Sequence, residues 1–135
     1  MNDVVEYLNS IKTEILPSNL HGIGTFAFRN IEVGDYVFPH WKNETGLYKI
    51  NLENIDDFYF KQNVLSKYFR VDKNIMSVFL IQNCHFLSPW KHFVNHSINP
   101  NIDYYGNCII PIKKGDEVVR NYGEYDNINE IKYLI

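Results

Sequence analysis

Phe93-Val94-Asn95-His96-Ser97-Ile98-Asn99-Pro100-Asn101 is the stretch on which the reading of this chain turns. Two apolar residues run straight into a polar series that reaches a proline, so a buried segment emerges into a polar bend. Asparagine and histidine each offer a hydrogen-bond donor and an acceptor, which suits them either to read a purine edge or to brace a loop. A histidine alone in such a bend is more often structural than a ligand. Metal binding has little support, because His85, His92 and His96 lack an acidic or cysteine partner at ligand spacing.

Upstream lies Leu20-His21-Gly22-Ile23-Gly24-Thr25-Phe26-Ala27. Two glycines one residue apart let a backbone approach a ligand closely and adopt angles other residues avoid. A structural turn fits the same residues. A dinucleotide fingerprint does not, since no third glycine or helix start follows. Downstream lies Ile112-Lys113-Lys114-Gly115-Asp116-Glu117-Val118-Val119-Arg120-Asn121-Tyr122-Gly123, a turn and then a strand that sets a phenol at its end beside a glycine. Such tyrosines are mostly packing residues.

The composition bounds what these segments can be doing. A chain of 135 residues with 45% hydrophobic and 21% charged residues fits one globular domain with a real core. Its 10 Tyr and 9 Phe are read mainly as core filling. A net charge of -3 argues against a direct nucleic-acid binder and gives only slight preference to a basic protein partner. Cys84 and Cys108 form no CxxC and are read as buried, reduced thiols of an intracellular protein. The N-terminus has no signal-peptide pattern and no apolar run reaches membrane-spanning length, so no membrane association is expected.

The element pattern is mostly β. Val4, Val5, Leu8 and Ile11 have helical spacing, so a short helix is expected within residues 1–10. Alternation from Ile11 to Leu16 suggests a strand ended by Pro17-Ser18-Asn19, and Gly22-Ile23-Gly24 opens a second strand over residues 25–30. A third is expected over Tyr36-Val37-Phe38, with further strands at 75–82, 108–112 and 117–122, and one helix within 52–68. Asn127 and Glu130 have capping-box spacing ahead of a C-terminal helix over 126–135. The class is mostly β (α+β), a single domain over 1–135 with a variable insert at 41–74.

Together and in this order, the three segments resemble the SET-domain family of protein lysine methyltransferases. That family carries a G-x-G after its first strand, an N-H-S-x-x-P-N segment in its second half, and a G-D/E-E-hydrophobic strand ending in tyrosine. The resemblance covers roughly residues 14–40 and 85–125. It implies several small curved β-sheets with a pseudoknot, and transfer of a methyl group from S-adenosyl-L-methionine to a lysine of a protein substrate, a histone or another basic protein. It further implies that Gly22, Ile23 and Gly24 line the methionine and ribose end of the cofactor, and that Asn95 and His96 hold it, adenine included. Tyr122 falls at the position of the family's catalytic tyrosine and borders the cofactor. Tyr104 and Tyr125 match positions where some relatives line the lysine channel.

The chain departs from the family pattern at named places. His92 stands where many relatives have arginine, Ile98 where cysteine is usual, and Pro39-His40 where Glu-Tyr is frequent. No cysteine-rich zinc segment is expected after the domain, and the C-terminal helix with Tyr133 is expected to close the site instead. An alternative therefore stands beside the enzyme: a catalytically inactive SET-fold module that binds protein.

Overall fold

The helical spacing of Val4 and Leu8 is realised in α1 (Asn2–Asn9), with both side chains buried and Ile11 buried just after it. In chain order there follow β1 (Thr13–Pro17), β2 (Ile23–Ala27), β3 (Gly46–Asn51), β4 (Arg70–Asp72), β5 (Ile75–Leu80), β6 (Asn95–His96) and β7 (Glu117–Arg120). The structure is a computed structural model that describes residues 2–68, 70–86 and 90–125. The expected C-terminal helix, with Tyr133, lies outside the described residues. Small sheets with few helices are what a SET fold requires, and the expected class holds.

Two compact units share the chain, one from its start to Ile11 with Phe38–Trp90, the other from Lys12–Val37 and Lys91 onward. The first is built on an antiparallel sheet in the order β3-β5-β4. Its inner face is Ile50, Met76, Val78 and Leu80, all buried, while Leu47, Ile75 and Phe79 face outward. That alternation is the signature of a sheet covered on one side, so the expected buried strand at 75–82 has one exposed face. Trp41 stacks edge-on against Tyr7 and Tyr48 with ring centres 5.4 and 5.3 Å away. Its indole N–H reaches the Glu44 carbonyl at 3.0 Å, so the ring is buried without stranding its polar atom.

The helix expected within 52–68 is in fact broken. A 3₁₀ turn at Leu52–Asn54 precedes a π-helical segment, Phe60–Leu65, that runs into a helical turn at Ser66–Tyr68. Phe60, Val64 and Leu65 are the buried residues of the π segment, a wider repeat than an α-helix presents. The Asp57 carboxylate accepts the Phe60 N–H at 2.8 Å and starts the segment.

The second unit carries a four-stranded sheet in the order β1-β2-β7-β6. β1 and β2 form an antiparallel hairpin, β2 pairs antiparallel with β7, and β7 pairs parallel with β6. Neighbouring segments join through single bridges, Ile31 to Ile112, Tyr36 to Asn107 and Ile102 to Cys108. The strands expected at Tyr36-Val37-Phe38 and at 108–112 reduce to these bridges. Gly34 and Gly115, both with φ of +95°, turn the chain away before a ladder can extend. β1 begins two residues later than the alternation suggested, and it buries Thr13 and Glu14. Cys108 is buried and Cys84 only half-buried, and both are free.

Candidate functional site

The three segments singled out in the sequence meet in one sheet. β6 holds Asn95 opposite Val119 and His96 opposite Arg120 in parallel register. β2 brings Gly24 to the other side, with Thr25 opposite Val118 and its hydroxyl donating to the Phe93 carbonyl at 2.8 Å. Asn101, at the end of the N-H-S segment, behaves as an extra peptide unit against β7. Its amide donates to the Glu117 carbonyl at 2.9 Å and its side-chain oxygen accepts the Val119 N–H at 2.8 Å. The segment from Asn95 to Asn101 is thus tied to β7 at both ends.

Asn95 is 8% exposed, and its amide nitrogen is spent entirely on the protein. It lies 3.1 Å from the carbonyls of both His21 and Ile23, and 2.8 Å from Glu117 Oε2. Three acceptors around the nitrogen fix the amide orientation and turn Oδ1 the opposite way, where it takes no hydrogen bond among the described residues. His96 Nδ1 accepts the Tyr122 N–H at 3.0 Å, which leaves the ring proton on Nε2. Asn95 thus keeps an acceptor and His96 a donor that no described residue uses, on consecutive positions of β6, one buried and one exposed.

Tyr122 opens the 3₁₀ turn Tyr122–Tyr125 directly after β7. Its hydroxyl donates to the Val94 carbonyl at 2.9 Å, and its ring lies 5.1 Å from His96. The Arg120 guanidinium sits over the same ring, 4.5 Å from its centre. With its proton committed to Val94, the phenol oxygen keeps lone pairs for a donor, and at 42% exposure the residue is open to one.

The two glycines are needed for different reasons. Gly22 has φ of +48°, and a Cβ there would meet nothing within 4 Å, so its requirement is conformational. Gly24 is buried, and a Cβ on it would fall 2.3 Å from Glu117 Oε2 and 3.0 Å from Asn95 Nδ2. The room at Gly24 is taken by the protein's own carboxylate and amide. Ile23, between them, is 48% exposed.

Gly22, Ile23, Gly24, Asn95, His96 and Tyr122 are thus brought together. Tyr104 is half-buried on the turn from Asp103 to Gly106, with its ring 5.1 Å from that of Tyr105. The Asp103 carboxylate tightens that turn by accepting the N–H groups of Tyr105 and Asn107, both at 2.9 Å. Burial raises its pKa, but these donors and the Gly106 N–H outweigh it and hold Asp103 below the usual carboxylate range. The backbone of Tyr125 ends the 3₁₀ turn that Tyr122 begins.

Sequence reasoning missed Glu117 and Ser18. The Ser18 hydroxyl donates to Glu117 at 2.8 Å from Oε1, and it accepts the Leu20 N–H at 3.0 Å. Ser18 read as an ordinary turn residue, and no spacing rule links it to an acid 99 positions away.

Comparison with known proteins agrees with the geometry. The family model described as SET domain matches residues 22–123, from the first glycine of the loop to the residue after Tyr122. Among curated proteins none matches the chain. Solved structures do match, and one is the crystal structure of a candidate histone methyltransferase of Plasmodium falciparum. That protein is 21% identical, the alignment covers 87% of this chain and 97% of that one, and the TM-score is 0.44. With the family model spanning most of its length and the motif segments meeting around Asn95 and Tyr122, this chain belongs to the SET-domain family.

Proposed function

We propose that the chain is an S-adenosyl-L-methionine-dependent protein-lysine N-methyltransferase. The observation that carries this reading is the placement of Tyr122. Its phenol is fixed by the Val94 carbonyl and its backbone by His96, next to the Asn95–His96 pair. The cofactor fits the residues present, because Asn95 Oδ1 and His96 Nε2 offer an acceptor and a donor that no described residue uses. Asn95 and His96 would hold the cofactor, its adenine included, and the Gly22–Gly24 loop its methionine and ribose end. When bound, the cofactor supplies a methyl group on a sulfonium, activated for direct displacement.

The chain's own residues supply orientation and charge control. The Tyr122 oxygen accepts an N–H of the incoming amine and sets the direction of its lone pair, a near-attack alignment. A lysine must be neutral to act as nucleophile. The Arg120 guanidinium beside the Tyr122 ring disfavours a second positive charge there, as burial in an aromatic channel also would. Tyr104 and Tyr125 are assigned to the channel by resemblance alone. The substrate is a protein with an exposed lysine, a histone or another basic protein, met inside a cell. The slight negative charge of the chain is in keeping with that partner.

The test is Tyr122→Phe, assayed with labelled cofactor against histones and a cell lysate. Loss of one positioned hydrogen-bonding group should lower transfer by about 10²-fold, with cofactor affinity and melting temperature close to wild type. Equal rates would reduce Tyr122 to packing. Cofactor binding without transfer in the wild type would favour the inactive binding module instead.

A further inference from the structure

We infer that Glu117 is a positioning residue that holds the two cofactor-facing segments in one geometry. The inference rests on the proposed function and deepens it. Glu117 stands at the start of β7, half-buried, with its carboxylate at the meeting point of three other segments. From β6 it receives the Asn95 amide, at 2.8 Å from Oε2. From the end of β1 it receives the Ser18 hydroxyl, 2.8 Å from Oε1 and 3.0 Å from Oε2. From β2 it receives no side chain, only the space that Gly24 leaves.

Each of these contacts shapes something the ligand would touch. Holding the Asn95 nitrogen is what fixes the amide and so the side on which Oδ1 lies. Holding Ser18 extends the effect into the loop, because the same hydroxyl accepts the Leu20 N–H and the Ser18 N–H bonds the Gly22 carbonyl at 2.9 Å. Asn95 closes the circuit by donating to the His21 and Ile23 carbonyls. The loop from Ser18 to Gly24 and the Asn95 amide are therefore two outputs of one carboxylate. Hydrogen bonds to a charged acceptor are the stronger kind and depend on orientation, so the arrangement fails as a unit when the carboxylate goes.

A glutamine can keep the pattern: its oxygen accepts from Asn95 while its nitrogen donates to Ser18, whose hydroxyl then serves as acceptor. An alanine cannot. Glu117→Ala should therefore weaken cofactor binding by about 10–100-fold, the range expected when charge-assisted hydrogen bonds are lost, and raise the cofactor KM while kcat changes little. Glu117→Gln should recover most of the affinity. Ser18→Ala should weaken binding alone but add little on top of Glu117→Ala, because both act through one contact.

Calorimetry with S-adenosyl-L-methionine, thermal melting, and amide NMR of Asn95 and Leu20 in the full chain would test this. Unchanged affinity in Glu117→Ala would overturn the inference, as would additive effects of the two substitutions. A fall in affinity matched by general unfolding on melting would also overturn it, since any structural residue does that. If the wild-type chain binds no cofactor, the proposed function fails. The positioning role of Glu117 is then judged on the spectra alone: displaced Asn95 side-chain and Leu20 amide signals in Glu117→Ala uphold it, and unmoved signals refute it.

Discussion

His85 in the first unit is buried and Glu117 in the second half-buried, both are ionisable, and their surroundings differ. His85 is 5% exposed, with the rings of Phe38 and Phe86 centred 5.7 and 5.2 Å from its own. Burial first, and the nearby His40 second, push its pKa down to about 3. Glu117 is met instead by a hydroxyl and an amide from two distant segments. In the first unit shape and volume decide what fits, so substitutions there should act on stability. Around Glu117 the positions of individual polar atoms decide, so substitutions that disturb those atoms should act on ligand affinity.

The strongest challenge to that contrast is Phe60→Ala. Phe60 is 0% exposed in the first unit, and truncating such a ring costs about 3–5 kcal/mol through lost burial and the cavity left behind. Denaturant unfolding should show that loss, with cofactor affinity of the folded protein unchanged. A parallel fall in affinity would break the contrast.

Acid sharpens it next. His85 is neutral when folded, and its depressed pKa means the unfolded chain binds the proton first. Its contribution to stability is complete above pH 6.5 and is lost as the pH falls toward 3. By pH 5 the loss from this group is about 2 kcal/mol. Unfolding midpoints measured between pH 7 and 5 should fall accordingly, and His85→Phe should flatten that slope. Asp35, held low mainly by the Glu32 N–H and by Lys12, gives its own loss only as the pH falls through and below the ordinary carboxylate value, when most of the His85 loss has already occurred.

The smallest effects separate the two glycines. Gly24→Ala forces a methyl against Glu117 and Asn95, and should cost about 1–3 kcal/mol of cofactor affinity as their hydrogen bonds open. Gly22→Ala meets no neighbour but sits at positive φ, so about 1 kcal/mol of stability is its expected cost. Paired calorimetry and melting of the two variants would show whether one loses affinity and the other stability. The reverse assignment would sink the steric reading of Gly24.

Much of this was legible in the chain, for identifiable reasons. α1, β2, β5 and β7 announced themselves because each pairs a period with turn residues at its ends. The meeting of Asn95 with Tyr122 was implied by the family resemblance that the three motifs carry, and β6 with its two residues could not have been found by periodicity. β3 was missed because Gly46-Leu47-Tyr48-Lys49-Ile50-Asn51 looks like a loop until its cross-strand partners on β5 are known. The π-helical segment was missed because a helix period of the usual kind does not place Phe60, Val64 and Leu65 on one side. Glu117 was in view as part of a motif, but its partners come from remote sequence positions that no local pattern encodes.

That remoteness has a consequence for how the protein is made. The contacts that assemble the site join residues 72, 74 and 99 positions apart, while the contact from Glu117 to Asn95 spans 22. Closing such long loops costs entropy before any contact repays it, and chains ordered by distant pairings fold slowly. During synthesis the β1–β2 hairpin is available early, yet its glycine loop has neither of its distant partners until the segments bearing Asn95 and then Glu117 have left the ribosome. The geometry of that loop is therefore fixed by segments made well after the hairpin itself.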